Sequence, residues 1–460
     1  MNVRAWLSNP WPPVVLVLVA LTLGVAFAPL GVALSVAGAA AAAVLIWKFG
    51  VVEGIWLLVL ASIPLREPLS IDLVGTASLF PTDLLLFALL AVVIRREGLR
   101  STWHESPAFR IGLFIIILSL PGLVTASRLF WGVNAVYRIV GQVAMLVVAR
   151  SLVRTGRDAR KALVAVVIGL VPVIVYGLYQ ASLPYGADLP DWSQHYVSWD
   201  ALGQKDVRIF ATFRHPLHLA NYLAVGLGLS LGLLASSLKS GLKWFLLFVG
   251  AAGAVCNLFT SSIGGLLGMF AAVATTIVLE RRRRIVFLAP VLLVALLLVA
   301  PPAMTAKLGR VLTGQATTGA ARLVTYGQSI AVLKDSPLTG VGWGGVRSAL
   351  EHDYRVTRAD AVAFAAENYF LQRGVALGLP GMVLAALLCV LFFRNAVRPR
   401  GELPYGDWPR AAVLTAGVAF YAHAQFFPAA YPAGNYVLWL LFALAERMRE
   451  QSVARRRGIV

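Results

Sequence analysis

Glu367 and Arg373 stand at the start of one apolar segment. Glu367 lies in the stretch AENYFLQRG, and the residues after Gly374 are apolar enough to cross a bilayer. A carboxylate at such a boundary can act as a general base if partial loss of solvent raises its pKa. It can instead favour the N-terminal end of a helix macrodipole, by roughly 0.3 to 1 kcal/mol. The spacing of six takes Arg373 off the i+3 and i+4 positions, which argues against a simple intrahelical ion pair.

Several arginines and histidines could bind an anion. A guanidinium suits phosphate because its planar fork donates two parallel hydrogen bonds and keeps its proton. The candidates lie in two stretches of the chain and are Arg208, Arg214, His215, His218, Arg310, Arg322, Arg347, Arg355 and Arg358. The alternative for each arginine is a contact with lipid headgroups or with Asp191, Asp206 or Asp353. For the two histidines, the alternative is a place at the membrane interface.

The composition shows what kind of protein must position these residues. Hydrophobic residues make up 59% of the chain and charged residues 13%, whereas about a quarter of the residues of a soluble domain are charged. The chain is therefore predicted to be a polytopic membrane protein. Its two cysteines, Cys256 and Cys389, lie inside apolar runs and indicate neither a disulfide framework nor a metal cluster.

Apolar runs of sufficient length predict an all-α protein with about 12 to 14 transmembrane helices. The runs lie near 12–29, 31–47, 50–65, 79–95, 111–127, 132–149, 162–182, 216–237, 243–260, 264–280, 285–302, 368–393, 410–427 and 431–446. With the N-terminus inside, every short inner loop is basic, as the positive-inside rule requires. Both termini are thus predicted to be cytoplasmic. The net charge of +19 is then mainly a topology signal, and nucleic acid is not expected as a partner.

Two outer segments are long on this topology, roughly 183–215 and 303–367. Loops beyond about 12 to 15 residues are usually functional or disordered. In the second segment Leu323, Tyr326, Ile330 and Leu333 recur at helical spacing, which predicts amphipathic helices near the membrane surface. We therefore expect the functional residues in these two segments.

Four motifs in this order resemble the O-antigen ligase and O-antigen polymerase superfamily of bacterial envelope glycosyltransferases. They are RIFATFRHPLHLANYLAVGLGL, LFTSSIGGLLGMF, AARLVTYGQSIAVLKDSPLTGVGWGG and ENYFLQRGVALGLPGMVLAALL. The resemblance covers roughly residues 205–395. It implies a GT-C-like fold with N-terminal transmembrane helices in 1–204, a family core in 205–395 with an outer loop at about 303–367, and C-terminal helices with a basic tail in 396–460.

The resemblance assigns roles to two arginines. Arg208 corresponds to the family arginine that precedes a G-T-F-x-x-P-N-like turn. Arg322 corresponds to a second arginine that leads to a D-x-P-x-x-G-x-G turn, here framed by Asp335, Pro337, Gly340, Gly342 and Gly344.

The chain departs from the family pattern at two motifs. The family often shows T-x-S-R-G, whereas this chain reads TSSIG from Thr260 to Gly264. The missing arginine is either dispensable or replaced by Arg214 or Arg373. Ligases commonly show H-N-x-x-L, whereas here Glu367 stands before Asn368, so that a carboxylate replaces the histidine.

The resemblance implies an inverting, metal-independent glycosyltransferase that needs no cofactor and uses an undecaprenyl diphosphate-linked glycan at the outer face of the bacterial cytoplasmic membrane. Glu367 would be catalytic. Arg208, Arg322, Arg214, Arg373 and His215 would bind substrate. Loss of the histidine favours an O-antigen or exopolysaccharide polymerase, with a ligase acting on lipid A-core as the alternative. Membrane lipids and a chain-length regulator are further expected partners.

A transporter for lipid-linked glycans is the alternative of another class. Transporters often show internally repeated halves with sites near the bilayer midplane. The chain shows no such repeat, and its polar groups gather at one face. The GVGWGG turn could offer backbone N–H groups to a phosphate, although a plain turn into the next helix is favoured.

Overall fold

The structure is a computed structural model. It describes residues 40, 42–66, 71–74, 77–124, 129–187, 189, 196–199, 205–236, 238–280, 300–313, 317–354, 365–397, 408–426 and 432–456. The predicted spans near 12–29 and 285–302, and most of the span near 31–47, lie outside the described residues.

Helices dominate the described part of the chain. In chain order they are α1 (Val51–Ser62), α2 (Pro81–Glu97), α3 (Arg100–Glu105), α4 (Pro107–Ser119), α5 (Pro121–Val124), α6 (Leu129–Leu152), α7 (Gly156–Ser182), α8 (Pro216–Leu234), α9 (Ser240–Leu258), α10 (Ile263–Glu280), α11 (Pro302–Leu312), α12 (Thr317–Asp335), α13 (Val346–Ser348), α14 (Tyr369–Val397), α15 (Trp408–Ala424) and α16 (Pro432–Arg456). A 3₁₀ turn at Ile63–Leu65 follows α1, and a π-helical turn at Ala349–Asp353 follows α13.

Six helical segments in the described residues are long and apolar enough to cross a membrane. They are Pro107–Val124, Leu129–Leu152, Gly156–Ser182, Pro216–Leu234, Ser240–Leu258 and Tyr369–Val397. Val51–Leu65 and Ile263–Leu279 are shorter apolar helices. The prediction of an all-α polytopic membrane protein is confirmed.

The long helices pack through small residues, as membrane helices do when van der Waals contact replaces the hydrophobic effect. A Cβ added to Gly232 of α8 would lie 2.2 Å from the Cα of Ala412 on α15, and one added to Gly228 would lie 2.8 Å from the Cα of Ala416. Thr415 Oγ1 donates to the Gly228 carbonyl at 2.6 Å. The glycine spacing of four thus brings the backbones of α8 and α15 together.

Two short hairpins interrupt the helical pattern in segments that were expected to be loops. Strand β1 (Ile71–Val74) pairs antiparallel with β2 (Ala77–Leu79), and β3 (Tyr196–Trp199) pairs antiparallel with β4 (Lys205–Arg208). The β3 sequence YVSW is rich in the aromatic and β-branched residues that favour strands. In the second hairpin Arg208 pairs with Tyr196 and ends β4, so the strand fixes the position of the Arg208 backbone.

Two buried ion-pair clusters lie toward opposite ends of the long helices. Arg150, near the end of α6, contacts Glu446 at 3.0 Å, Glu450 at 2.7 Å and Glu105 at 3.2 Å. Toward the other end, Arg66 pairs with Asp83, whose carboxylate also accepts from the hydroxyls of Tyr137 and Tyr436. Buried charges persist in this way only when they are paired and hydrogen-bonded.

The outer segment predicted near 303–367 is helical over α11, α12 and α13 where it is described, as its periodicity indicated. The apolar stripe of α12 is buried only in part. Leu323 is 71% exposed and Ile330 44% exposed, whereas Tyr326 and Leu333 are partly buried. Part of the stripe therefore faces outward, which suits an amphipathic helix near the membrane surface.

Candidate active site

Three turns meet at one end of the helix bundle. They are the residues between β4 and α8, the Thr260–Ser262 turn between α9 and α10, and the residues before α14. The N–H of Ile209 donates to the carbonyl of Phe259 at 3.2 Å, and Arg208 Nε donates to the carbonyl of Thr260 at 2.7 Å. The first two turns are therefore joined through both backbone and side chain.

Each of these turns holds a residue with left-handed backbone. Among the described residues the non-glycine residues with positive φ are Ala211 (48°), Ser261 (49°) and Glu367 (52°). Such conformations cost about 1 to 3 kcal/mol each and persist only where the surroundings enforce them. At Ala211 the enforcing group is Gln180, whose Oε1 accepts from the N–H groups of Phe210 and Ala211 at 3.1 and 2.9 Å. Strain of this kind clusters at functional sites, so its repetition in all three turns marks this end of the bundle as the candidate site.

The Glu367 turn is held from both sides. Gln372 Oε1 accepts from the N–H of Ala366 at 2.9 Å. Asn368 Oδ1 accepts from the N–H groups of Phe370 and Leu371 at 2.9 and 3.1 Å and so caps the first turn of α14. The Glu367 backbone is therefore fixed independently of its carboxylate.

The carboxylate of Glu367 lies in an environment suited to a general base. It is partly buried, and burial raises its pKa above the usual range, while the charges of Arg322 and Arg208 act in the opposite direction. The charges of Arg208 and Arg322 thus act on Glu367, although the three residues come from different segments of the chain. These are the residues that the sequence motifs indicated most strongly.

Arg322 is placed by the docking of α12 on the end of α15. Its guanidinium carbon lies 5.4 Å from the centroid of the Phe426 ring. One turn along α12, the Tyr326 hydroxyl donates to the carbonyl of Gln425 at 2.8 Å. Asn368 Nδ2 approaches the same carbonyl at 3.3 Å. The Gln425 carbonyl therefore links α12, the Glu367 turn and α15.

Residues 245–386 match the family model described as O-antigen ligase. The match supports the O-antigen ligase and polymerase superfamily. No curated protein matches the chain. The matched residues include the Ser261 turn, Arg322 and Glu367, whereas Arg208 precedes them. The boundaries predicted at 205 and 395 stay predictions.

His215 has a structural role at the edge of this candidate site. Its Nδ1 accepts from the N–H of Leu217 at 3.1 Å and so caps α8. Burial, followed by the charge of Arg208, lowers the His215 pKa to about 4, which leaves the ring neutral near pH 7. The neighbouring Arg214 side chain is exposed. Substrate binding by Arg214 and His215 stays a prediction.

Arg373 lies among aromatic rings near the start of α14. It is 5% exposed, and its guanidinium carbon stands 4.0 Å from the ring centroid of Tyr369 and 5.9 Å from that of Trp343. The charges that act on the Glu367 pKa are those of Arg322 and Arg208, which oppose the effect of burial. Substrate binding by Arg373 also stays a prediction.

The glycine-rich turn that follows α12 packs into a break in α14. Val341 N–H donates to the carbonyl of Val375 at 2.9 Å, and Gly342 N–H to that of Ala376 at 3.0 Å. The break itself is at Gly378, whose φ is 69°. These turn N–H groups are thus engaged by α14, in line with the plain turn that the sequence favoured over a phosphate cradle.

Sequence analysis missed two polar residues of the site. His423, fully buried on the last turn of α15, lies 3.3 Å from the amide nitrogen of Asn221 and packs against Gly264. Lys307 Nζ donates to the carbonyl of Ser261 at 2.8 Å. The position of His423 inside an apolar run was a signal that could have revealed it. No comparable local signal distinguished Lys307.

Within the described residues, no group of three or more His, Cys, Asp and Glu side chains could hold a metal ion.

Proposed function

We propose that the chain transfers a glycan from an undecaprenyl diphosphate carrier to an acceptor hydroxyl at the outer face of the bacterial cytoplasmic membrane. The family match supports ligase- or polymerase-type chemistry on a lipid-linked oligosaccharide. The observation that carries the assignment is the partly buried Glu367 carboxylate, whose pKa is raised by burial and which lies under the influence of Arg208 and Arg322.

The proposed step is an inverting displacement. The acceptor oxygen forms a bond to the anomeric carbon as the bond from that carbon to the diphosphate oxygen breaks. Glu367 takes the proton of the acceptor hydroxyl, and the diphosphate leaves with the bonding electrons. Arg208 and Arg322 stabilise the charge that grows on the diphosphate, so the reaction is proposed to run without a metal ion.

The geometry supports a clamp role for Arg208. Its Nε bond to Thr260 orients the guanidinium, and its side chain is only 8% exposed. A fixed fork can match a phosphate bidentately, whereas a lysine ammonium acts as a point charge. The displacement of the diphosphate is then proposed to require the planar geometry of the Arg208 guanidinium as well as its charge.

A polymerase is favoured over a ligase because a carboxylate stands where ligases commonly carry histidine. The two differ in acceptor, which is another carrier-linked repeat unit for a polymerase and lipid A-core for a ligase. A chain-length regulator as partner stays a prediction. Transport without bond formation is the alternative of another class.

The test uses purified full-length protein with undecaprenyl diphosphate-linked oligosaccharide in the presence of EDTA. Wild-type protein should extend the glycan, and Glu367→Gln should lower turnover by at least about 100-fold, the scale of a general base. Arg208→Lys and Arg322→Lys should each lower turnover by about 10-fold or more, since charge-assisted bidentate bonds are lost.

Glu351→Gln is the matched carboxylate control, since Glu351 pairs with Arg347 at 3.0 Å in the same outer segment. Its turnover should equal that of the wild type. Full activity of Glu367→Gln would exclude Glu367 as the general base. Transfer only to lipid A-core would identify a ligase, and substrate movement without glycosidic bond formation would identify a transporter.

A further inference from the structure

We infer that Lys307, at the Thr260–Ser262 turn, supplies the leaving diphosphate with a further fixed positive charge beside those of Arg208 and Arg322. This inference rests on the proposed function and adds a binding residue to the same site. The turn is also where the chain carries Ile263 in place of the arginine of the related motif.

The orientation of α11 directs Lys307 toward the protein. Met304, three positions earlier, is 1% exposed, whereas the intervening Thr305 and Ala306 are exposed. Residues three apart share a helix face, so Lys307 lies on the side of α11 that packs inward. Its Nζ reaches the Ser261 carbonyl at 2.8 Å across 46 positions of sequence.

Two cations are held by consecutive carbonyls of one turn. Arg208 Nε bonds the Thr260 carbonyl at 2.7 Å, and Lys307 Nζ bonds the Ser261 carbonyl. The Cα atoms of consecutive residues are about 3.8 Å apart, so both side chains end at the same turn. The positive charges of Arg208 and Lys307 repel each other, and an anion bound between them would attract both and offset that repulsion. A diphosphate has the charge and the size for that position.

The backbone of the turn indicates that the placement is enforced. Ser261 holds φ at 49°, a conformation that costs a non-glycine residue free energy. Thr260, Ser261 and Ser262 are all buried. The Lys307 bond is made to the carbonyl of the strained residue itself, which couples the position of α11 to the shape of the turn.

The competing explanation is that Lys307 only holds the Ser261 turn in place. Variants that change the charge of Lys307 distinguish this structural role from diphosphate binding. Lys307→Gln retains an N–H donor for the Ser261 carbonyl but removes the charge, whereas Lys307→Arg retains the charge. Lys334→Gln, on the exposed last turn of α12, removes one positive charge elsewhere in the same outer segment and serves as the control.

The experiment measures the Kd of farnesyl diphosphate for the full-length protein in detergent, together with its thermal midpoint. Lys307→Gln should weaken binding by about 10-fold, equivalent to about 1.4 kcal/mol. Lys307→Arg and Lys334→Gln should stay within about twofold of wild type. Because screening weakens charge interactions, the difference between wild type and Lys307→Gln should shrink as salt rises.

Equal affinity of Lys307→Gln and Lys334→Gln would overturn the inference, and so would a lowered thermal midpoint of Lys307→Gln with unchanged affinity, which would show a structural clamp. Failure of the wild-type protein itself to bind farnesyl diphosphate would instead count against the proposed function.

Discussion

At the scale of the residue, Glu367 combines three properties that rarely coincide. Its backbone is left-handed, its carboxylate is partly buried, and two arginines act on its charge. Burial favours the protonated form, and the arginines favour the carboxylate. The net result is a Glu367 pKa above the usual range of a glutamate.

The acid limb of the pH–rate profile should report this balance. A base works only as the carboxylate, so turnover should fall as the pH drops through the raised pKa of Glu367. Arg322→Gln removes a charge that lowers this pKa. The acid limb of the residual activity should therefore move to higher pH.

Arg347→Gln removes the same type of charge from a residue paired with Glu351 and should leave the acid limb in place. The profile is measured as initial rate against pH with saturating carrier-linked donor. A limb that does not move in Arg322→Gln would show that Glu367 is not the titrating base.

At the scale of the element, the site depends on helices that are broken and docked onto one another. The turn after α12 packs into the break in α14 and is joined to it by three backbone hydrogen bonds. Gly342, with φ of 70°, packs so closely on α5 that an added Cβ would lie 2.6 Å from the carbonyl oxygen of Gly122. A substitution there is opposed by both the backbone conformation and the contact.

Gly342→Ala should therefore destabilise the protein by at least about 1 to 2 kcal/mol, the cost of a left-handed conformation for a residue with a Cβ. Gly327→Ala is the control, since nothing lies within 4 Å of an added Cβ within α12, and it should stabilise the helix by up to about 1 kcal/mol. Thermal unfolding in detergent measures both. Equal melting of Gly342→Ala and wild type would refute the close packing of the turn.

At the scale of the whole molecule, one group of arginines lies at the ends of the helices opposite to the candidate site. Arg95 and Arg96 end α2, Arg150 lies near the end of α6, and Arg394 lies in the last turn of α14. The site lies before α8 and α14, at the opposite ends. Under the positive-inside rule this separation supports an extracytoplasmic site.

Reporter fusions test that orientation. An alkaline phosphatase fused after Gly186 or Thr357 should be active, since both positions are expected outside, and one fused after Gly401 should be inactive. A fluorescent protein fused at the same positions should show the reverse pattern. A cytoplasmic signal from Gly186 or Thr357 would place Glu367 on the side opposite to the proposed acceptor.

The sequence by itself determined the membrane class, the positions of the described long helices, and the identity of Arg208, Arg322 and Glu367 as candidates. These conclusions depend on local properties. Apolarity over about 20 residues decides whether a segment can span a membrane, and a motif is read within a single stretch. Neither requires knowledge of which segments touch.

Tertiary structure alone decided which residues meet. The bond of Lys307 to Ser261 and the bond of Tyr326 to Gln425 join residues far apart in the chain, and no periodicity encodes such pairs. The exposure of Leu323 and the partial burial of Tyr326 divide the apolar stripe of α12 between an outward and an inward face. In a membrane protein an apolar surface can be satisfied by lipid as well as by a core, so the hydrophobic pattern does not reveal which face turns inward, and only the packing of the helices settles it.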